Sequence, residues 1–204
     1  EEIFNYNIFE IGGGYGGDAK IFSDFANQFN RSKELKWNIF DLPSSYDLIK
    51  KWLSIFNYKT NIISIDESFI VPNNSLAISC GAVSEMHGDL LKKYIDNVIL
   101  PCKCGYFITN FESQSKPYGG ITTEEFIKYL KKNGKSDVIE LDNKIYLSYF
   151  DYLAGSKLIV FGIDNNKFKP KLFSRLDNFK FNIIPRLIEK ISRFNQKLIN
   201  KFLS

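Results

Sequence analysis

One histidine, one methionine, two tryptophans and three cysteines are all the chain holds of these residues among its 204, and each scarcity excludes something. The cysteines, Cys80, Cys102 and Cys104, are odd in number, and no second cysteine or histidine cluster exists to complete a four-ligand zinc site. We therefore expect reduced thiols and no metal. Cys102-Lys103-Cys104 reads either as a redox pair or as a turn leading into a buried strand. No stretch approaches the roughly 20 apolar residues of a spanning helix, and the start lacks the basic-then-apolar pattern of a secretion signal, which places the protein in the cytoplasm. There is no internal repeat, no low-complexity linker, no N-P-P-Y-like base-flipping element and no basic-aromatic stripe on the domain, so nucleic acid is not an expected partner. An initiator methionine is also missing just ahead of the first strand-like run, from which we expect an upstream segment.

What is present suits a globular domain with an appendage: 44% of the residues are hydrophobic, enough to bury a sizeable core at this length. The net charge of +4 conceals an asymmetry. Residues 157–204 carry 11 Lys or Arg against Asp164, Asp177 and Glu189, a net of +8, which leaves −4 on the other 156 residues. Apolar runs at 3–11, 36–42, 60–65, 75–80 and 105–111 have the length of buried strands. Helical patterns fall at 17–29, 45–57, 87–98 and 122–132, the last announced by Thr122-Thr123-Glu124-Glu125. Repeated β-then-α units imply a parallel sheet covered on both faces. Beyond Gly134 the runs 137–141, 144–151 and 157–163 are strand-like, and Leu153-Ala154-Gly155-Ser156 predicts a hairpin between the last two. From Leu172 onward, Ile183, Ile184, Leu187, Ile188, Ile191, Leu198 and Phe202 recur at helical spacing opposite Lys and Arg. The expected architecture is α/β: a Rossmann-like three-layer sandwich over 1–165, with a mostly parallel sheet and a terminal antiparallel hairpin, then a basic amphipathic helical tail over 166–204. That tail suits an anionic membrane surface at the inner face, a partner, or a solvated helix face.

The most informative segment is Ile8-Phe9-Glu10-Ile11-Gly12-Gly13-Gly14-Tyr15-Gly16-Gly17, an apolar strand running into a glycine loop, with Asp18 to Phe25 reading as a helix. Glycine lets backbone approach a ligand closely, and the N–H groups opening the next helix carry partial positive charge. Two templates fit. Gly12, Gly14 and Gly17 spell the G-x-G-x-x-G of dinucleotide enzymes, whereas Glu10, Gly12, Gly14 and Gly16 spell the E-x-G-x-G-x-G of S-adenosylmethionine enzymes. The ligand separates them: NAD brings a pyrophosphate, S-adenosylmethionine a cationic methionine end that profits from a carboxylate such as Glu10. An acid for the ribose belongs about 20 residues past the loop in a dinucleotide fold. The candidate here, Asp41, stands 29 positions after Gly12, awkward for NAD and harmless to the alternative.

Glu10 to Gly17 followed by Phe40-Asp41-Leu42-Pro43 resembles the paired signature of class I methyltransferases. The tracts Asn73 to Met86, Tyr94-Ile95-Asp96-Asn97-Val98 and Gly105-Tyr106-Phe107-Ile108-Thr109-Asn110 are similar to bacterial sugar O-methyltransferases found among surface-polysaccharide genes, a likeness over residues 3–115. The resemblance implies S-adenosylmethionine as cofactor and a small-molecule or glycan hydroxyl as acceptor. It would lay Gly12, Gly13 and Gly14 along the methionine and ribose, have Asp41 accept both ribose hydroxyls, pack Leu42 on the adenine, bring Asp66 or Glu67 to the adenine amino group, and set Ser79 to Ala82, including Gly81, beside the reacting methyl. An NAD-dependent oxidoreductase and a non-catalytic binding subunit are the competing readings.

Methyl transfer is an in-line displacement on a sulfonium, so alignment and proton removal are the tasks left to the protein. His87, just past the fourth strand, suits a base by side-chain type and equally well a helix start. Glu85 stands where related O-methyltransferases carry their base; as a base it requires burial, and otherwise it orients a substrate hydroxyl or pairs with lysine. Tyr15 and Tyr118 are loop aromatics that fit either substrate contact or packing.

Overall fold

The computed structural model describes residues 2–31, 35–58, 60–141 and 156–162. A 3-10 turn over Glu2–Asn5 leads into strand β1 (Asn7–Ile11); then follow α1 (Gly17–Gln28), β2 (Lys36–Phe40), a Pro43–Ser45 3-10 turn, α2 (Tyr46–Ile55), β3 (Asn61–Ile63), β4 (Ser75–Cys80) and α3 (Ala82–Glu85). The chain continues through α4 (Gly88–Tyr94), β5 (Cys104–Thr109), α5 (Phe111–Gln114), a Lys116–Tyr118 turn, α6 (Thr123–Lys132), β6 (Ile139–Leu141) and β7 (Lys157–Phe161).

The strands lie in the order β3-β2-β1-β4-β5-β7-β6. The first five are mutually parallel, and β7 enters antiparallel between β5 and β6. Strand alternation divides the core into two layers. Ile8, Trp37 and Ile39 face α1 and α2, where Ala19, Ile49 and Leu53 close over them. Phe9, Ile11, Phe40, Ala77 and Phe107 face the opposite layer, covered by α4, α6 and the segment after α4 through Leu91, Tyr94, Val98, Phe126 and Leu130. Each such large apolar side chain contributes about 1.5–3 kcal/mol on burial.

The parallel β/α architecture and the antiparallel pair at its end agree with the sequence pattern, with two differences. The pair is β6 with β7, because Ile139 to Leu141 register against Val160 to Leu158; the expected strand at 144–151 and its hairpin turn lie outside the described residues, as does the C-terminal helix. Residues 64–74, where the sequence predicts no helix, form turns and an extended strap between β3 and β4. The helix expected over 87–98 is α4, which stops at Tyr94 and passes into a π-helical turn over Ile95–Ile99, with Leu100 N–H donating to the Ile95 carbonyl at 2.8 Å. No helix among the described residues is long and apolar enough to cross a membrane.

Candidate cofactor site

The site is assembled at the carboxyl ends of β1, β2 and β4, where an open α/β sheet changes the direction in which its strand order grows. The turn after β1 is held against the sheet by the Gly12 N–H, which donates to the Phe40 carbonyl at 2.8 Å. Close approach explains two of its glycines. A Cβ on Gly12 would lie 2.0 Å from the Ala82 Cβ, and one on Gly13 would lie 2.4 Å from Ile39 Cγ2, so neither position admits a side chain without displacement. Gly14 differs: it sits at φ +57° with nothing within 4 Å of where a Cβ would stand, and so faces open space. Gly16, at φ 89°, is the N-cap of α1 and offers no side-chain cap, which leaves the first N–H groups of that helix for a ligand or water.

Asp41 is fixed beside this loop. Its Oδ2 accepts from the Gly14 N–H at 2.8 Å and its Oδ1 from the Leu42 N–H at 2.7 Å. Both oxygens keep a second lone pair, so the carboxylate is aimed and still able to accept from a diol. Leu42 next to it is 65% exposed, an apolar surface with nothing over it.

Beneath the loop lies Glu10, buried in β1 on the side of α1 and α2, where its Oε2 accepts from Trp37 Nε1 at 2.6 Å. Burial pushes its carboxyl up to about 7, helped by repulsion from Asp18 and Asp41 and opposed by the Trp37 bond. Asp18, in the first turn of α1, is itself raised by burial. The Cys80 thiol at the end of β4 is raised by burial and by the charges of Asp18 and Glu10, which keeps it a thiol. Three carboxylates thus surround one glycine loop. Asp18 escaped the sequence reading because an acid in a first helical turn is ordinary; only the turn's position over β1 brings it to Glu10.

The other expected residues occupy the rim. Gly81 (φ +94°) caps α3, and a Cβ there would come 4.0 Å from Glu85 Oε1, so the Glu85 carboxylate folds back over the end of β4. Glu85 and His87 are both exposed; the dry surroundings a glutamate base requires are absent at Glu85. Gln114 from α5 accepts from Ser84 Oγ at 2.8 Å and reaches Glu85 Oε1 at 3.5 Å, the outer limit of a hydrogen bond, linking the segments after β4 and β5. Buried Ser79, expected at the end of the fourth strand, donates to the Ile11 carbonyl and accepts from the Val83 N–H, bracing the loop against α3. Asp66 pairs with Lys93 and Glu67 is exposed. Both border a groove of about 450 Å³ between the 64–74 strap and the α4 segment, lined also by Phe69, Val71 and Asn97. Because none of the glycine loop lines that groove, it flanks the site rather than containing it. Tyr15 sets its ring edge-on to Trp52 at 5.7 Å, against α2. Tyr118 is 75% exposed in its 3-10 turn.

Solved structures sharing this arrangement include PigF with S-adenosylhomocysteine, 15% identical with a TM-score of 0.50 over 78% of this chain and 51% of that one. Another is the N-methyltransferase NodS from Bradyrhizobium japonicum WM9 in complex with S-adenosylhomocysteine, 13% identical, TM-score 0.50, over 76% of each chain. A third is LepI in complex with S-adenosylmethionine, 10% identical, TM-score 0.54, over 78% of this chain and 43% of that one. The chain shares the Rossmann-like fold of these structures. The chain spans about half the length of PigF and less of LepI. No family model and no curated protein sequence matches it.

The residues present fit an adenosyl cofactor: a cradle closed to any Cβ at Gly12 and Gly13 and open at Gly14, an acid pinned beside it at Asp41, and, at the start of α2, a buried Tyr46 hydroxyl without a partner among the described residues.

Proposed function

We propose that the chain is an S-adenosylmethionine-dependent O-methyltransferase acting on a hydroxyl of a sugar or surface-polysaccharide precursor. The observation that carries the cofactor assignment is the convergence of Glu10, Asp18 and Asp41 on the glycine loop. In dinucleotide folds the pyrophosphate docks at the first turn of this helix; here Asp18 holds that turn and repels it. The same acids attract a cationic sulfonium and ammonium, which weighs against an NAD oxidoreductase.

When bound, the cofactor supplies an activated methyl group on sulfur. Asp41 accepts hydrogen bonds from the ribose, Gly12 to Gly14 admit the methionyl chain against bare backbone, and the exposed Leu42 side chain covers an adenine face. At the rim, His87 takes the proton of the acceptor hydroxyl, imidazole being the stronger base of the two candidate side-chain types. Glu85, exposed and folded over Gly81, orients that hydroxyl. Support for a sugar acceptor is the sequence resemblance over 73–110 and this polar rim.

Calorimetric titration tests the cofactor: S-adenosylhomocysteine is expected to bind and NAD not to, with Asp41→Ala weakening binding about tenfold or more, as for loss of a charged hydrogen-bond acceptor. Binding of NAD alone reverses the assignment. With the cofactor established, transfer of labelled methyl to glycan hydroxyls separates an enzyme from a non-catalytic binding subunit.

A further inference from the structure

Tyr46 opens α2 immediately after the turn that follows Asp41. Its hydroxyl is buried and has no hydrogen-bond partner among the described residues, a costly state that phenylalanine would avoid. Where the hydroxyl stands is fixed by its neighbours. Tyr94, from α4 on the opposite layer, is buried edge-on to Phe40 at 5.9 Å, and the groups that disfavour its ionisation after burial itself are Tyr46, Asp41 and Asp66, in that order. The Tyr46 hydroxyl thus lies within electrostatic reach of Tyr94, as do Asp41 and Asp66. Trp52 Nε1, the other buried polar atom without a partner among the described residues, differs in being enclosed by the Tyr15 and Phe56 rings.

We propose that Tyr46 is a nucleoside-recognition residue whose hydroxyl donates to a ring nitrogen of the cofactor's purine, the contact that its buried oxygen lacks among the described residues. The assignment rests on the S-adenosylmethionine reading. It makes Tyr46 a specificity element: the hydroxyl is left unpaired by any ligand that does not present an acceptor there, and an unpaired buried donor is penalised more than an absent one.

The test is Tyr46→Phe, measured by calorimetry with S-adenosylhomocysteine and by thermal unfolding without ligand. Affinity is expected to fall about five- to tenfold, the usual worth of one neutral hydrogen bond, while the ligand-free variant unfolds at the same temperature as the parent or higher, because a costly buried hydroxyl has been removed. A merely structural hydroxyl would move the unfolding temperature down and leave affinity alone. If the parent binds S-adenosylhomocysteine and Tyr46→Phe binds it equally, the assignment of Tyr46 is overturned and the cofactor reading stands; if the parent does not bind, the cofactor reading falls and this contact with it.

Discussion

A carboxyl group at the buried end of a central strand is expensive, and Glu10 bears that cost beneath the loop it helps to shape. Its carboxyl is raised from an ordinary 4.5 to about 7 in the folded protein. Between those values the folded state holds a proton that the unfolded chain has released, so stability declines as pH rises from about 4.5 to 7 and is level above that. The span corresponds to about 3 kcal/mol. Glu10→Gln, which keeps an acceptor for Trp37 Nε1, should flatten this part of the pH dependence and make the variant more stable than the parent at pH 8 but not at pH 4.5. Urea unfolding at the two pH values decides it, and equal pH slopes in both proteins would sink the idea. The same burial explains why Glu10 was legible as a loop acid and not as a Trp37 partner: the motif gives the position, while the pairing needs the β1–β2 register that sets Glu10 opposite Ile39, two residues from Trp37.

Among the elements, those with strong local signals formed where the sequence put them. Thr122 and Glu125 make a reciprocal capping box at the start of α6, with Thr122 Oγ1 accepting from the Glu125 N–H at 3.2 Å and Glu125 Oε2 accepting from the Thr122 N–H at 2.7 Å. Thr123 is further tied to Glu112 at 2.9 Å, joining α6 to the segment after β5. Replacing Thr122 by Ala is expected to cost about 1 kcal/mol, read as a lower urea midpoint with an unchanged slope, since the apolar anchors Phe126 and Leu130 remain buried. An unchanged midpoint would mean that tertiary packing alone holds this terminus. Between β3 and β4, where no helical pattern occurs, Phe69 and Val71 pack onto the core from an extended strap.

For the molecule as a whole, charge is the property that the described fold does not account for. The basic excess of residues 157–204 against the acidic remainder leads us to propose peripheral attachment to anionic membrane through the C-terminal segment. The protein should sediment with vesicles containing phosphatidylglycerol and be released by raised salt; deleting residues 180–204 should abolish this, and vesicle binding that survives the deletion would refute the proposal.

Local pattern was sufficient for the parallel β/α succession, the glycine turn, the acid closing β2 and the capped α6, because each is marked by a short run of residues whose periodicity, capping chemistry or backbone conformation few other residue types supply. Tertiary structure alone decided that Asp18 joins Glu10 and Asp41 around one loop, that Glu85 and His87 stay exposed, and that the Tyr46 hydroxyl is buried within reach of Tyr94. Those outcomes depend on which helix covers which face and in what register the strands align. Side chains far apart in the chain meet only when the sheet has closed its order, and no local periodicity carries that information.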